Sequence, residues 1–355
     1  MVKASVIIPT LNRSAYLKTA LKSIIEQTAD KKAYELIVVD NGSTDKTKKV
    51  TKQIATTHPA CQIRYVCEPE PGLLAGRHRG LKEARGKILV FIDDDIIVNK
   101  DWLPTILKAF KDPSIHLVGG PSLPIYQSKP PLWLESFWSK NKYGRWCGYL
   151  SLLDFGKKIR QIDPAFVFGL NFSTRKKTLL KLGGFHPDLM PENLKHFQGD
   201  GETGLTVKIR KKGLKAIYHP AALVWHQIPR QRMSINYFEK RSFFQGICDS
   251  FAQIRKNKNY KKGPKLKKRN TLSKPLSYCL PSKAYNFFLN LFFQKPKLNT
   301  EKPRLYTDSE IKKRDNKAYK AGFSFHQNEV AKNPKLLEWV LKKDYFNYKI
   351  PELEK

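Results

Sequence analysis

Acid is scarce in this chain: 31 Asp and Glu stand against 66 Lys and Arg in 355 residues, a formal net charge of +35. An excess of that size calls for an anionic partner, whether nucleic acid, an anionic membrane surface or a phosphorylated small molecule. Cysteine is sparse too. The five (Cys61, Cys67, Cys147, Cys248 and Cys279) form no CxxC pair and no metal-finger spacing. Scattered thiols in odd number argue against a disulfide framework and suit a reducing compartment. Long apolar runs are missing: none reaches the roughly 18 residues of a membrane span. The nearest candidate, 284–293, is short and interrupted by Asn286 and Asn290. No export signal is visible, because Met1-Val2-Lys3-Ala4 runs directly into the strand-like Ser5-Val6-Ile7-Ile8. These absences predict a cytoplasmic protein, with the inner face of the cell membrane as its one peripheral station. No internal repeat is evident.

What is present can build a core. Hydrophobic residues make up 41% and aromatic residues 12% of the chain, well above a disordered composition. The length suits one large domain with an extension, or two modest domains. Strand and helix patterns alternate through the N-terminal half, which predicts an α/β domain with a mostly parallel sheet flanked by helices. Val6-Ile7-Ile8 is the first strand; a helix over about 15–27 follows, with Leu17, Ala20, Leu21, Ile24 and Ile25 on one face. Strands at 35–39 and 63–66 come next, the former ending at Asp40. The turn after it offers Ser43 or Thr44 as the cap of a second helix. The run Ile88-Leu89-Val90-Phe91-Ile92 reads as a strand buried on both faces and ends in Asp93-Asp94-Asp95. Acids at the carboxyl end of a parallel strand sit on the rim where open α/β sheets bind ligands. Three adjacent carboxylates repel one another unless a cation or hydrogen-bond donors offset them. Patterning alone therefore predicts a nucleotide-binding α/β domain.

Three segments together resemble the successive signatures of the family 2 glycosyltransferases: Ser5-Val6-Ile7-Ile8-Pro9-Thr10-Leu11-Asn12, Val38-Val39-Asp40-Asn41-Gly42-Ser43-Thr44-Asp45, and Phe91-Ile92-Asp93-Asp94-Asp95. Between them, Gly72-Leu73-Leu74-Ala75-Gly76-Arg77-His78-Arg79-Gly80 is similar to that family's glycine–arginine loop, and the order and spacing agree as well. The resemblance implies a GT-A fold, a nucleoside diphosphate sugar donor such as a UDP-sugar, a bound Mn2+ or Mg2+, and inverting transfer. It implies Asp95 as the metal-binding acid, with Asp93 on the ribose or supporting the metal. Asp94, which alternation turns to the other side, ranks lower among the donor contacts. Asp40 would read the nucleobase, with Pro9, Thr10 and Asn12 lining the same pocket. The Gly72 loop would bring Arg77 to the diphosphate or the base. His78 and Arg79 follow it where the family usually has Asn.

The likeness extends to about residue 245. Phe168-Gly169-Leu170-Asn171-Phe172 and Leu182-Gly183-Gly184-Phe185-His186-Pro187 look like the family's acceptor-side strand and gly-gly-phe turn. Gly199-Asp200-Gly201-Glu202-Thr203-Gly204-Leu205 resembles its acid motif, usually Glu-Asp-x-Glu-Leu, but Gly199 replaces the first Glu, and Thr203 and Gly204 precede Leu205 where the Leu is expected at once. By this resemblance Asp200 is the base that takes the acceptor proton, with Glu202 in reserve, and His226 reaches the metal or diphosphate. Residues 1–230 would form the glycosyltransferase domain, 1–120 binding the nucleotide sugar and 121–230 the acceptor. The prolines and aromatics of 121–150, among them Trp133, Trp138 and Trp146, form either an acceptor loop that stacks on sugar rings or a subdomain core.

Residues 231–355 read as a basic helical extension. From 255 to 269 the chain has no acid, and an aromatic-rich stretch, 285–293, follows; together they suit an anionic membrane surface or a solvated linker. The leading function is transfer of a sugar to a glycan or lipid-linked acceptor in cell-surface polysaccharide synthesis. A sugar-nucleotide nucleotidyltransferase would need a glycine-rich basic loop after the first strand, and Pro9-Thr10-Leu11-Asn12-Arg13 is not one. A nucleic-acid binder is disfavoured because the basic run lies outside the acid-rimmed domain and no zinc finger or RNA-binding motif occurs. The imperfect acid motif leaves an inactive sugar-nucleotide binder as a further alternative.

Overall fold

The computed structural model describes residues 2–257 and 306–353. Its larger sheet has eight strands: β1 (Ala4–Thr10), β2 (Tyr34–Asp40), β3 (Gln62–Cys67), β4 (Ile88–Ile92), β6 (Ile115–Gly119), β11 (Arg160–Gln161), β12 (Asn171–Arg175) and β13 (Lys215–Tyr218). Their spatial order is β11-β13-β6-β12-β4-β1-β2-β3. A second sheet holds β5 (Ile96–Val98), β7 (Ser122–Tyr126), β8 (Ser139–Asn141), β9 (Gly144–Cys147), β10 (Leu152–Asp154) and β14 (Val224–Ile228).

β1, β2 and β4 are buried along their whole length, as continuous apolar runs flanked by helices must be. β1 pairs in parallel with both β2 and β4, and β2 with β3. β12 enters antiparallel between β4 and β6, so the parallel order of the nucleotide half gives way to a mixed arrangement beyond β4. After β13 the chain crosses into the smaller sheet, where β14 lies antiparallel to β5.

Helix α1 (Ser14–Ile25) buries the stripe Leu17, Ala20, Leu21 and Ile24 against this sheet. Helix α2 (Thr47–Thr57) departs from expectation at its start: neither Ser43 nor Thr44 caps it. Asp45 does, accepting the Thr47 amide at 2.9 Å through one oxygen and the Ser14 amide at 2.9 Å through the other. One carboxylate thus closes the first turns of α1 and α2. The Ser43 and Thr44 groups are diverted to Asn12: the Asn12 amide donates to Ser43 Oγ and the Thr44 amide donates to Asn12 Oδ1. Helices α3 (Leu73–Glu83), α4 (Trp102–Ala109), α5 (Lys176–Lys181) and α6 (Gly201–Lys211) complete the wrap.

Beyond the sheets come α7 (Ile235–Lys256), α8 (Asp308–Lys332) and α9 (Pro334–Leu341). They continue the core: Phe251, Ile254, Leu336, Trp339 and Tyr345 belong to one cluster with Phe91, Phe172 and Phe185 under the larger sheet. α7 and α8 touch backbone to backbone, because a Cβ at Gly246 would overlap the Tyr319 carbonyl and one at Gly322 the Phe243 carbonyl. Most of the basic run expected at 255–269 and the aromatic stretch at 285–293 lie outside the described residues, as does Cys279. Among the described residues no helix is long and apolar enough to cross a membrane.

Aromatics of 121–150 pack inward. Trp133 and Phe137 meet Phe238 of α7 edge to face, and Tyr149 stacks on the same ring at 4.9 Å. The contact between α7 and α8 sets a stability test. Gly322→Val should lower the chemical unfolding free energy by about 1–3 kcal/mol, the usual cost of overpacking; an unchanged denaturation midpoint would show that the helices can part without loss.

Candidate active site

The site forms where β4 ends. Ile7 and Phe91 are partners in the β1–β4 ladder, so three residues further on Thr10 faces Asp94, and its hydroxyl donates to Asp94 Oδ2 at 2.7 Å. Arg13, just past β1, straddles the acids: one guanidinium nitrogen lies 3.0 Å from Asp94 Oδ1 and another 2.7 Å from Asp95 Oδ2. The β5–β14 ladder pairs Ile96 with His226, which brings that ring beside Asp95, 3.4 Å from Oδ2. Arg232, in the short turn after β14, lies 3.0 Å from the same oxygen.

Charge follows from this packing. Burial opposes ionisation of Asp95, but His226, Arg232 and Arg13 outweigh it and hold the carboxyl well below the usual range. At Asp94 the balance is reversed: burial outweighs the pull of Arg13 and pushes the carboxyl up to about 7. Arg77, 3% exposed, lies under the cluster with Glu202 at 3.2 Å, Asp93 at 3.9 Å and the Phe185 ring beneath its guanidinium.

Two cavities adjoin here. One, of about 460 Å³, is lined by Pro9, Thr10, Arg13, Gly72, Asp93 and Asp94. The other, of about 550 Å³, is lined by Asp93, Asp200, His226 and the α7 residues Tyr237, Arg241 and Phe244. Asp93 and Arg232 belong to both walls, so the two spaces meet at the acid cluster. A third groove of about 400 Å³, lined by Phe137, Trp146, Tyr149, Thr203 and Arg241, runs on from the second.

The structure thus gathers Pro9, Thr10, Gly72, Asp93, Asp94, Asp200 and His226 around connected spaces, with Asp95 buried behind them beside His226. Asp40, Asn12 and Arg77 are not on these walls. Asp40 is 2% exposed and spends both oxygens inside the protein, accepting the Ser43 amide and the Tyr65 hydroxyl at 2.8 Å each. Asn12 is occupied by the 43–44 backbone. Glu202 is committed to Arg77 and to the Gly169 amide. His78 faces away from the acids and ties α3 to later chain, accepting the Phe185 amide at 3.0 Å and bonding the Tyr345 carbonyl. Gly72 is needed for two reasons: its φ is +101°, and a Cβ there would press on Met190 Sδ at 2.8 Å.

Among the described residues no three His, Cys, Asp or Glu side chains stand in a ready metal cluster. The donors beside Asp95 nevertheless fit a hard cation. Asp95 Oδ1 is buried without a hydrogen-bond partner. His226 turns Nδ1 to the Leu150 carbonyl at 2.9 Å, which orients the ring and leaves Nε2 facing the acid. Arg232 currently shares Nε2 at 2.6 Å.

The sequence pattern of the family described as Glycosyl transferase family 2 matches residues 5–178. This segment is a family 2 glycosyltransferase domain. The chain's likeness to curated relatives is partial. Glycosyltransferase AglE of Haloferax volcanii is 34% identical over 116 residues, 33% of this chain and 38% of AglE. A glucosyl-dolichyl phosphate glucuronosyltransferase of the same organism is 24% identical over 249 residues, 69% of this chain and 75% of its own. The fold agrees with the mannosyltransferase PcManGT from Pyrobaculum calidifontis, solved in complex with GDP-Man and Mn2+: TM-score 0.52 and 22% identity over 72% of this chain and 64% of that one.

Reading the family motifs did not single out Arg13 or Arg232. Both were signalled indirectly, since three crowded acids need cations and both arginines lie in loops at the same sheet edge. The raised Asp94 carboxyl gives a signed prediction. Between about pH 4, where a free Asp ionises, and about 7, the folded state holds a proton that the unfolded chain has lost. This group therefore makes stability fall as pH rises through that window. Asp94→Asn should flatten the fall, read as the difference in urea midpoints between pH 5 and pH 7.5; an identical slope in both proteins would contradict the assignment.

Proposed function

We propose that the protein transfers a glycosyl group, with inversion, from a nucleoside diphosphate sugar to a hydroxyl of a glycan or lipid-linked acceptor in cell-surface glycan synthesis. The observation that carries this reading is the pair of adjoining cavities whose shared wall is Asp93, Leu189, Pro191 and Arg232. One space suits the nucleotide sugar and the other the acceptor, and the reacting carbon would lie where they meet.

In the donor space, Pro9, Thr10 and Gly72 offer a lining that backbone and sugar can approach closely. Asp40 would serve the nucleobase end from behind, holding the Ser43 turn and Tyr65. Arg77 neutralises Asp93 and Glu202 from below, so that Asp93 can take a ribose hydroxyl. Arg13 and Arg232 stand within reach of a diphosphate. A divalent cation such as Mn2+ or Mg2+, held by Asp95, Asp93 and His226, would act as a Lewis acid on the leaving diphosphate. Arg232 would then have to leave His226 Nε2, which it shares in this conformation.

In the acceptor space, Asp200 lines the same cavity as Asp93, and it would take the hydroxyl proton as the oxygen attacks. Bases so placed contribute roughly 10²–10⁴-fold. Half-buried Trp146 and Tyr149 offer ring faces along the adjoining groove. A lipid-linked acceptor is supported by the names of two relatives, the dolichyl phosphate enzyme above and a PP-undecaprenol glucosyltransferase of Campylobacter jejuni, 34% identical over 34% of this chain and 38% of its own. A lipid acceptor would bring the basic run of 255–269 to an anionic surface, where each charge is worth about 1 kcal/mol.

Two substitutions test the assignment. Asp200→Asn should leave donor affinity unchanged while transfer falls by about 10²–10⁴-fold; normal turnover would move the base elsewhere. A thermal-shift panel of UDP- and GDP-sugars with and without Mn2+ should give a metal-dependent rise for one donor. Asp95→Ala should abolish that rise, and its persistence would remove Asp95 from the metal site.

A further inference from the structure

Gly204 lies on α6 just past the acid motif, where the packing leaves no room for a side chain. A Cβ at this position would overlap His186 Nδ1 and come within 2.8 Å of Asp200 Oδ1. The space left by the missing side chain is filled by the His186 ring. His186 is 2% exposed, and its Nδ1 is 2.5 Å from Asp200 Oδ1. On the far side, Lys208, one helical turn after Gly204, sets Nζ 3.1 Å from His186 Nε2 and donates to the Leu182 carbonyl at 3.0 Å. Phe251 of α7 and Tyr345 beyond α9 pack against the ring in tilted and edge-on contacts, with centroids 5.5 and 5.7 Å away. Its own amide donates to the Gly201 carbonyl.

We propose that His186 is a positioning residue for Asp200, binding Oδ1 so that Oδ2 faces the acceptor hydroxyl, with Gly204 and Lys208 as the parts that seat it. The inference rests on the reading of Asp200 as the base.

Hydrogen-bond direction follows from charge. Burial, opposed by Asp200 and reinforced by Lys208, lowers the His186 pKa, so the ring is neutral at physiological pH. Burial and then Arg255 push Lys208 down to about 8, a value at which the ammonium form still predominates at pH 7. An ammonium can only donate. Nε2 must therefore accept, the one ring proton resides on Nδ1, and Nδ1–H donates to Asp200. Among the described residues Oδ2 makes no hydrogen bond, and Asp200 lines the acceptor cavity. A carboxylate with one oxygen tethered and one free presents a fixed lone pair instead of a rotating one, which is the kind of orientation that catalytic geometry rewards. The arrangement moves no proton through His186: the hydroxyl proton goes to Asp200 Oδ2, and the Nδ1 proton stays on the ring.

The full-length protein allows a direct test. Transfer is followed as nucleoside diphosphate release from UDP-N-acetylglucosamine and GDP-mannose, with octyl glucoside or water as acceptor. His186→Leu removes the donor; His186→Asn keeps an N–H at the Nδ1 position. The proposal expects His186→Leu to lower kcat by about 10- to 100-fold with donor KM and thermal midpoint little changed, and His186→Asn to recover most of the loss. Equal losses in the Leu and Asn variants, or a loss that tracks thermal midpoint, would reduce His186 to packing and overturn the inference while leaving Asp200 as base. Full turnover by Asp200→Asn would overturn the base reading, and this inference with it. Independently of turnover, ¹⁵N spectra of the His186 ring should show the neutral Nδ1–H tautomer, with its proton protected from exchange in wild type and exposed in Asp200→Ala. A ring protonated on Nε2 alone would also overturn the proposal.

Discussion

Everything at the functional edge of this molecule depends on keeping three adjacent carboxylates together. Asp93, Asp94 and Asp95 follow a strand that is buried on both faces, so they cannot spread apart without unpairing β4. Unopposed, charges at such distances would repel by several kcal/mol in the half-buried setting of a protein rim. The offset comes from far apart in the chain: Thr10 and Arg13 after β1, Arg77 from α3, and His226 and Arg232 at and after β14. Each connection pins a different element to the end of β4. The electrostatic demand of one turn thus fixes the relative position of both sheets.

The cluster is also divided by its surroundings. Asp95 stays ionised, Asp94 holds its proton to about pH 7, and Asp93 alone looks into both cavities. Alternation along the strand foretold that the middle acid would differ from its neighbours, and Thr10 and Arg13 are the groups it turns towards. The division matters chemically because a donor diphosphate and an acceptor hydroxyl need opposite kinds of help: one needs positive charge, the other a free lone pair. On the proposed reading, the acid cluster with its arginines would supply the first and Asp200, on the wall of the second cavity, the second.

Much of this was legible in the residues. β1, β2 and β4 announced themselves as short β-branched runs ending in Pro9-Thr10, Asp40 and Asp93, and the helical stripe of α1 was plain from Leu17 to Ile25. These are local signals, set by side-chain periodicity within a few residues. Pairings that depend on the closed fold were not legible. Nothing near Arg13 in sequence says that it meets Asp95, and nothing near His186 says that it fills the gap at Gly204. Asp40 was read as free to meet a ligand, whereas Tyr65, one strand over, occupies one of its oxygens. The cap of α2 misled for a similar reason: Ser43 and Thr44 had the right chemistry, but Asn12 claimed that turn. The aromatics of 121–150 were ambiguous because a ring that packs and a ring that stacks on a sugar look alike in sequence; here Trp133 is core and Trp146 faces the groove.

The floor beneath Asp200 comes from unexpected parts of the chain. His186 is seated against Phe251 and Tyr345, Tyr345 bonds the Trp339 carbonyl at 2.6 Å, and the Trp339 ring nitrogen donates to the Phe197 carbonyl. Phe251, Trp339 and Tyr345 lie outside every recognisable motif, yet they share one core with Phe185. A substitution in α9, far along the chain from any family signature, can therefore disturb the acid motif without touching it.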